Sequence, residues 1–449
     1  PHAAAGADSP PMVVARATRC LLSQLHVNLL ELSAFPVFGE DGEDAQRLPA
    51  PDVTDLGKKY IAEIHICAGE LDKEEGAATS SAQAAALRAE RQRTEWAACI
   101  TELALLVFVQ RPAVLGELLA RWWYRHLCDP RCEDEELPRL SGLAQPDADP
   151  QFWPAVHTLV AQGLPERAVQ LLQLHPALRG ADGAGLSAVE AGLLVRLEAL
   201  LEEMPRLAHP DLVGTPQPEA SALMHQQQLA DFQASWRVWA EDVAALRSDA
   251  AAASATGAPV TLQVQRVCEQ LAGGDSGIAA LDCLWHRKLV AALLYQRPTL
   301  LRWQVHELLG SCLGAAEEAA LSPYERVLLA ILRDDPFATI EQMRADEAFG
   351  EGWLVAHLWD LLCRAGRVPP GPEALAVPSL RQRGLTLRQH FLLQHAMAIA
   401  DGAGLWQLGA GYAALLMRAP AGCDAARQWL GALLLRQLDH PAAHATHAL

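Results

Sequence analysis

Apolar residues in this chain recur with helical spacing almost everywhere, and β-branched residues alternating with polar ones are scarce, which confines the chain to an all-α fold. Leu354, His357, Leu358, Leu361 and Leu362 fall at i, i+3, i+4, i+7 and i+8 and make one apolar stripe, while Asp360 and Arg364 lie on another face. Trp285, Leu289, Ala292 and Leu293 repeat the pattern opposite His286, Arg287 and Lys288. Start signals agree. Ser322-Pro323-Tyr324-Glu325 reads as a capping box with proline at the first helical position, and Thr339 to Gln342 and Thr386 to Gln389 have the same spacing. Gly163 and Gly366 are placed to end helices in the left-handed conformation. Phe152 to Leu172 reads as a complete αα-hairpin. Trp153, Val156 and Val160 line its first helix, Gly163 turns the chain, Pro165 restarts it, and Ala168, Leu171 and Leu172 line the return.

Segments rich in Gly, Pro, Ser, Asp or short Ala runs punctuate this pattern: Pro36 to Gly57, Asp72 to Gln83, Asp129 to Pro150, Gly180 to Ser187, His209 to Glu219, Ser248 to Pro259 and Gly366 to Gly384. One or two helices fit between neighbouring breaks, roughly fifteen to twenty in all at ordinary lengths, the organisation of an irregular α-solenoid. No strict repeat emerges, and Trp406 to Tyr412 is one residue short of the tetratricopeptide signature. The expected division is a disordered leader over 1–11, an N-terminal helical part over 12–128, a linker over 129–150, a central helical block over 151–430 and a frayed end over 431–449.

With 449 residues the prior is about three domains, or one continuous repeat body. The formal charge of -18 argues against a nucleic-acid or anionic-membrane binder, which needs a clustered positive field. Ten cysteines without a CxxC pair make neither a disulfide framework nor a zinc ribbon, and a reducing, intracellular setting is expected. The opening PHAAAGADSPP has no signal-peptide pattern, and the apolar stretches near Leu103 to Val109 and Leu405 to Met417 are shorter than the ~20 residues a spanning helix needs.

Motifs that could carry chemistry lose to blander readings. Gly274-Asp275-Ser276-Gly277 has the wording of a serine-protease nucleophile segment but reads as a break between helices. Gly183-Ala-Gly185 and Gly409-Ala-Gly411 match a loose dinucleotide fingerprint without a βαβ unit, and read as helix starts or small-residue packing. His440, His444 and His447 have metal-ligand spacing, interrupted by Pro441 in a terminal Ala-rich segment. Arg88 to Arg93, interleaved with Glu90, reads as a solvated helix face. Twelve tryptophans outnumber eight phenylalanines; Trp153, Trp285, Trp353 and Trp406 are expected in grooves between helices, with interface anchors as the second reading. No catalytic residue, cofactor site or metal site is assigned, and the residues point to a helical scaffold or adaptor.

Several helices, taken in order, resemble the nucleoporin 85 family of the nuclear pore's outer ring. The matching wording runs from Phe152-Trp153 through Gly163 to Ala168, then Trp236-Arg-Val-Trp239, then Leu284-Trp285 through Tyr295 to Pro298-Thr299. Trp353 through His357 and Leu361 to Cys363 follows, then Leu387 to Leu393, then Leu405-Trp406-Gln-Leu-Gly409 with Tyr412. The resemblance is good over 152–420 and weaker over 13–127. It implies an ancestral coatomer element, a fold-back helical block with trunk and crown. It also implies a structural, non-enzymatic role in pore assembly and in nucleocytoplasmic transport of protein and mRNA, at the nuclear envelope. The implied partners are a Sec13-related WD40 β-propeller near the N-terminus and other Y-complex nucleoporins, with the hub joined through a C-terminal tail. The family's propeller grip uses a β-rich N-terminal segment, and no strand-like run precedes Met12; family members also continue past Leu449, so a piece of a longer protein lacking the tail module is expected. A vesicle-coat or tethering solenoid of related fold is the alternative, and a metal-dependent enzyme using the terminal histidines a minor one.

Overall fold

The computed structural model describes residues 15–33, 50–128, 136–179, 186–207, 219–254, 259–274, 284–346, 349, 352–368, 385–401, 405–418 and 423–438. Among these residues there are nineteen α-helices and no strand. Their one β-type pairing is an isolated antiparallel bridge between Val114 and Leu301, where the Arg302 N–H donates to the Ala113 carbonyl at 3.1 Å. The chain divides into two compact units, the first formed by Pro1–Gln110 with Leu321–Leu449 and the second by Arg111–Ala320.

The first unit joins the two ends of the sequence. It holds α1 (Arg16–Ser33), α2 (Ala50–Gly76) and α3 (Ser81–Ala104), then α14 (Pro323–Leu332), α15 (Pro336–Ala345), α16 (Trp353–Arg364), α17 (Leu387–Asp401), α18 (Trp406–Met417) and α19 (Asp424–Leu438). Sequential neighbours pack as pairs, and the chain folds back on itself because α1 packs on α18, α2 on α16 and α3 on α14. The second unit holds α4 (Gly116–His126), α5 (Leu137–Ser141), α6 (Phe152–Ala161), α7 (Pro165–Leu172), α8 (Ala188–Glu202), α9 (Glu219–Ser254), α10 (Pro259–Leu271), α11 (Trp285–Ala291), α12 (Val305–Cys312) and α13 (Ala315–Ala319). Here α6 to α10 pack in succession, α10 returns to α6 and α8, and α11 packs on α4, α6 and α12. Two helices run on as π-helical turns, α3 through Leu105–Gln110 and α11 through Ala292–Gln296, and these turns are almost wholly buried.

Local signals explain most boundaries. Ser322 accepts from the Glu325 N–H while the Glu325 carboxylate accepts from the Ser322 N–H, and Thr386 with Gln389 does the same. Gly163 and Gly366 have φ of 74° and 64°, the left-handed stop that a side chain resists. The αα-hairpin forms as α6 and α7, with Val156, Val160, Ala168, Leu171 and Leu172 buried. Burial of each large aliphatic side chain stabilises by about 1.5–3 kcal/mol.

The structure corrects several boundary readings. Thr339 does not start a helix: Asp335 caps α15, accepting from the Phe337 and Ala338 N–H groups, and the Thr339 hydroxyl donates back to the Asp335 carbonyl. Residues Ala50 to Gly57 are the first turns of α2, where Pro51 falls in the first turn and removes an N–H that lacks a helical partner anyway. Ala250 to Ala253 continue α9 to Ser254, since alanine is the best helix former and an Ala run is no linker without Gly or Pro inside it. The break expected across Asp72 to Gln83 shrinks to residues 77–80, closed by Ser80 capping α3. Much of the other expected breaks, and the leader over 1–11, lies outside the described residues. The eight described cysteines are free thiols. Among the described residues no helix is long and apolar enough to cross a membrane.

Candidate functional site

Helix α16 was expected to show one apolar stripe and a separate charged face, yet every residue from Leu354 to Arg364 is buried. The charged face is absorbed by pairing. Asp360 accepts from the Arg364 guanidinium at 2.8 Å, one turn along the same helix, and from Arg388 of α17. Burial pushes the Asp360 carboxyl up, but the two guanidiniums outweigh it and bring it down to about 2. One turn earlier, His357 Nε2 is hydrogen-bonded to the Tyr412 hydroxyl of α18 at 2.8 Å, and Nδ1 lies 3.4 Å from the Tyr60 hydroxyl of α2. Burial brings the His357 imidazole down to about 4, with Asp360 opposing and His26 assisting, so the ring is neutral at ordinary pH. Burial also raises the Tyr412 phenol. His395 of α17 and His26 of α1 complete the cluster, their rings 5.0 and 4.6 Å from that of Tyr412. Five helices from both ends of the chain therefore meet around His357 and Tyr412.

Glycine makes two of these contacts close. A Cβ on Gly409 would lie 2.6 Å from the Ala396 carbonyl of α17, and one on Gly411 would lie 2.6 Å from His26 Nε2. The Gly409-Ala-Gly411 sequence is thus small-residue helix packing, and among the described residues no strand accompanies α18.

In the second unit the α6–α7 turn is seated on the π turn after α11. The Tyr295 hydroxyl donates to the Val160 carbonyl at 2.6 Å, and a Cβ on Gly163 would come within 2.2 Å of Leu294 Cδ1. Arg206 ties the same turn from outside, donating to the Gly163 carbonyl at 3.0 Å and to Glu117 at 3.2 Å. Trp239 is buried and donates to the Leu200 carbonyl at 2.7 Å. Trp285 is buried edge-on to His286, which accepts from Trp123 at 2.7 Å. Trp236, half-buried, and Pro298 face a cavity of about 390 Å³ with Phe232, Gln233 and Arg297.

The residues singled out from sequence therefore separate. His357, Leu361, Gly409 and Tyr412 form one buried centre, while Gly163, Tyr295, Trp239 and Trp285 secure the second unit. Trp153, Trp353 and Trp406 are half-buried at the starts of α6, α16 and α18 and enter neither group. His26, Tyr60, Arg388, Arg206 and Gly273 were missed, because each matters through partners far away in sequence. Gly273, read only as part of a break, has φ of 62° and packs directly on the Gln296 backbone. Arg88, exposed, and Arg91, half-buried, pair with the half-buried Glu75 of α2, so part of this cluster serves the α2–α3 contact and is not wholly a solvated face. His440, His444, His447, Gly183 and Gly185 lie outside the described residues, as does the Asp275-Ser276-Gly277 part of that motif.

This geometry is that of a helical body whose buried polar groups are engaged in helix packing. The family model described as Nup85 Nucleoporin matches residues 23–443. Similar proteins include the nuclear pore complex protein Nup85 of Bos taurus, 26% identical over 365 residues, which cover 80% of this chain and 49% of the relative. The Xenopus laevis protein of that name is 26% identical over 300 residues, covering 66% of this chain and 40% of the relative. The Homo sapiens protein is 24% identical over 365 residues, with 80% and 49% covered. The chain spans about half the length of the relatives it matches or less. With the family model matched over nearly all of its length, the chain belongs to the Nup85 nucleoporin family.

Proposed function

We propose that the chain is a structural scaffold nucleoporin of the outer ring, or Y complex, of the nuclear pore, working at the nuclear envelope in support of pore assembly and nucleocytoplasmic transport. The observation that carries this reading is the family match over 23–443 on an all-α body. Its work is done by shape: long helices such as α9 bury one stripe and leave their other faces to solvent, where other proteins bind through a few anchors. It is not an enzyme, a reading supported by the family's name and by the engagement of its buried ionisable groups in helix packing.

The partners are other nucleoporins. At finer grain they are a Sec13-related WD40 β-propeller bound near the N-terminus and the Y-complex hub bound through a tail. The packing of α1, α2 and α3 on α18, α16 and α14 supports a fold-back block of the ancestral coatomer type. Trunk and crown are drawn from the helical parts at 12–128 and 151–430.

Affinity purification of the uncut protein from its own cells tests the reading. Outer-ring nucleoporins with a WD40 propeller are the expected set. Recovery of vesicle-coat subunits instead, or stoichiometric metal on the purified protein by elemental analysis, overturns it.

A further inference from the structure

The helix nearest the start of the described chain packs on one near its end, and an imidazole sits in that contact. His26 of α1 lies half-buried on α18, its ring 4.6 Å from Tyr412 and tilted by 47°. It fits there because residue 411 has no side chain: a Cβ on Gly411 would sit 2.6 Å from Nε2 and 2.9 Å from Cε1. The other ring nitrogen, Nδ1, is buried with no hydrogen-bond partner among the described residues. A neutral ring can leave that nitrogen as a bare acceptor at modest cost, whereas an imidazolium carries an N–H there that needs an acceptor.

Among the described residues, the carboxylates recorded around this cluster are engaged elsewhere. From α18 the ring is faced by Tyr412. Behind that phenol stand His357 of α16 and His395 of α17, 5.8 and 5.0 Å from its ring. Next to His357 are the Tyr60 hydroxyl of α2 and Asp360, whose carboxylate is held by Arg364 and Arg388. At the start of α1, Glu74 of α2 accepts from the Ala17 N–H and Glu90 of α3 accepts from Thr18, so those carboxylates serve the other end of the helix. Three imidazoles thus converge on one phenol, and charging His26 disfavours charging His357.

We infer that His26 is a pH-sensitive latch, holding α1 on α18 while neutral and releasing it when protonated. Burial already lowers the His26 imidazole below its ordinary value, which is the direction a latch closed at neutral pH requires. The sign follows from linkage. A histidine lowered by folding stabilises fully above its unfolded value of about 6.5, and that contribution is lost as pH falls below it. Release would uncover the Gly411 and Tyr412 face of α18 and, at the other end, Cys67 of α2, a buried thiol close to Thr18 of α1.

Cys67 provides the readout. Its reaction with a dithiodipyridine reagent, which works in acid, is followed by peptide mass spectrometry between pH 7.5 and 5.5 and expressed relative to the unfolded chain. Cys268, buried in α10, is the control. The latch predicts that Cys67 opens severalfold on acidification while Cys268 stays closed, that His26→Gln removes the pH response, and that Gly411→Ala opens Cys67 already at pH 7.5. A Cys67 protected throughout, or a His26→Gln protein with the wild-type profile, overturns the inference. Should His26→Gln fail to fold, the His26 Cε1 proton of the wild type decides by NMR: a midpoint below 6.5 that coincides with Cys67 opening supports the latch, and one at or above 6.5 overturns it.

Discussion

In the second unit, several buried polar side chains are satisfied by one bond each: Tyr295 on the Val160 carbonyl, Trp239 on that of Leu200, Trp123 on His286. In the first unit they are pooled, with Asp360, Arg364 and Arg388 beside His357, Tyr412, Tyr60, His395 and His26. The difference follows chain topology. The second unit is one continuous stretch, and its helices meet neighbours that the chain delivers in order. The first must bring residues 15–110 against 321–438, and non-local closure gains specificity when it depends on groups that only the right partner can satisfy. A slipped register of apolar helices costs packing alone, whereas one that strands Asp360 or His357 also leaves buried polar groups unpaired.

The largest test of that contrast is Asp360→Ala, which leaves two buried guanidiniums without their carboxylate and should cost about 3–5 kcal/mol. Tyr295→Phe in the second unit removes one neutral hydrogen bond and should cost about 1–2 kcal/mol. Hydrogen exchange resolved by peptide assigns each loss to its unit, and equal costs would break the comparison. Acid comes next. The fold holds His357 at about 4 against about 6.5 when unfolded, so its contribution is complete above pH 6.5 and is lost progressively down to pH 4, on the order of 3 kcal/mol at 1.36 kcal/mol per unit. His175 in the second unit is lowered as well, mainly by burial, with Asp147 opposing, so that unit should weaken less over the same range. Urea midpoints of the two units measured from pH 7 to 4 would show the first falling faster.

A smaller effect sharpens the comparison at glycine. Gly273 and Gly409 each have backbone within 2.6 Å of a would-be Cβ, but only Gly273 also has a left-handed φ, of 62°. Alanine at 273 should therefore cost roughly 2–3 kcal/mol, about 1 more than at 409, because it adds the left-handed penalty to the clash. Thermal unfolding of the two variants checks the order.

Much of the fold could be read from the sequence, because helix ends are local chemistry. Ser322 with Glu325, Thr386 with Gln389, and the Gly163 turn before Pro165 all act within a few residues of themselves. Where a local signal had a nearby competitor the reading failed: Asp335 outbids Thr339 as a cap because its carboxylate reaches two N–H groups. The polar centre was only half visible. His357 stood out as a lone imidazole in an apolar stripe, and Tyr412 and Gly409 as motif residues, but their partners Tyr60 and His26 lie some hundreds of positions away. Asp360 and Arg364 looked like an ordinary surface pair at helical spacing; nothing near them in sequence announces that Arg388 closes over them.

A nuclear pore scaffold protein must reside at the nuclear rim. Imaging the full-length protein, tagged at its native locus, tests it most directly. A punctate ring at the nuclear rim that coincides with a known nucleoporin is the predicted result, and a diffuse cytosolic or vesicular signal with no rim would contradict it.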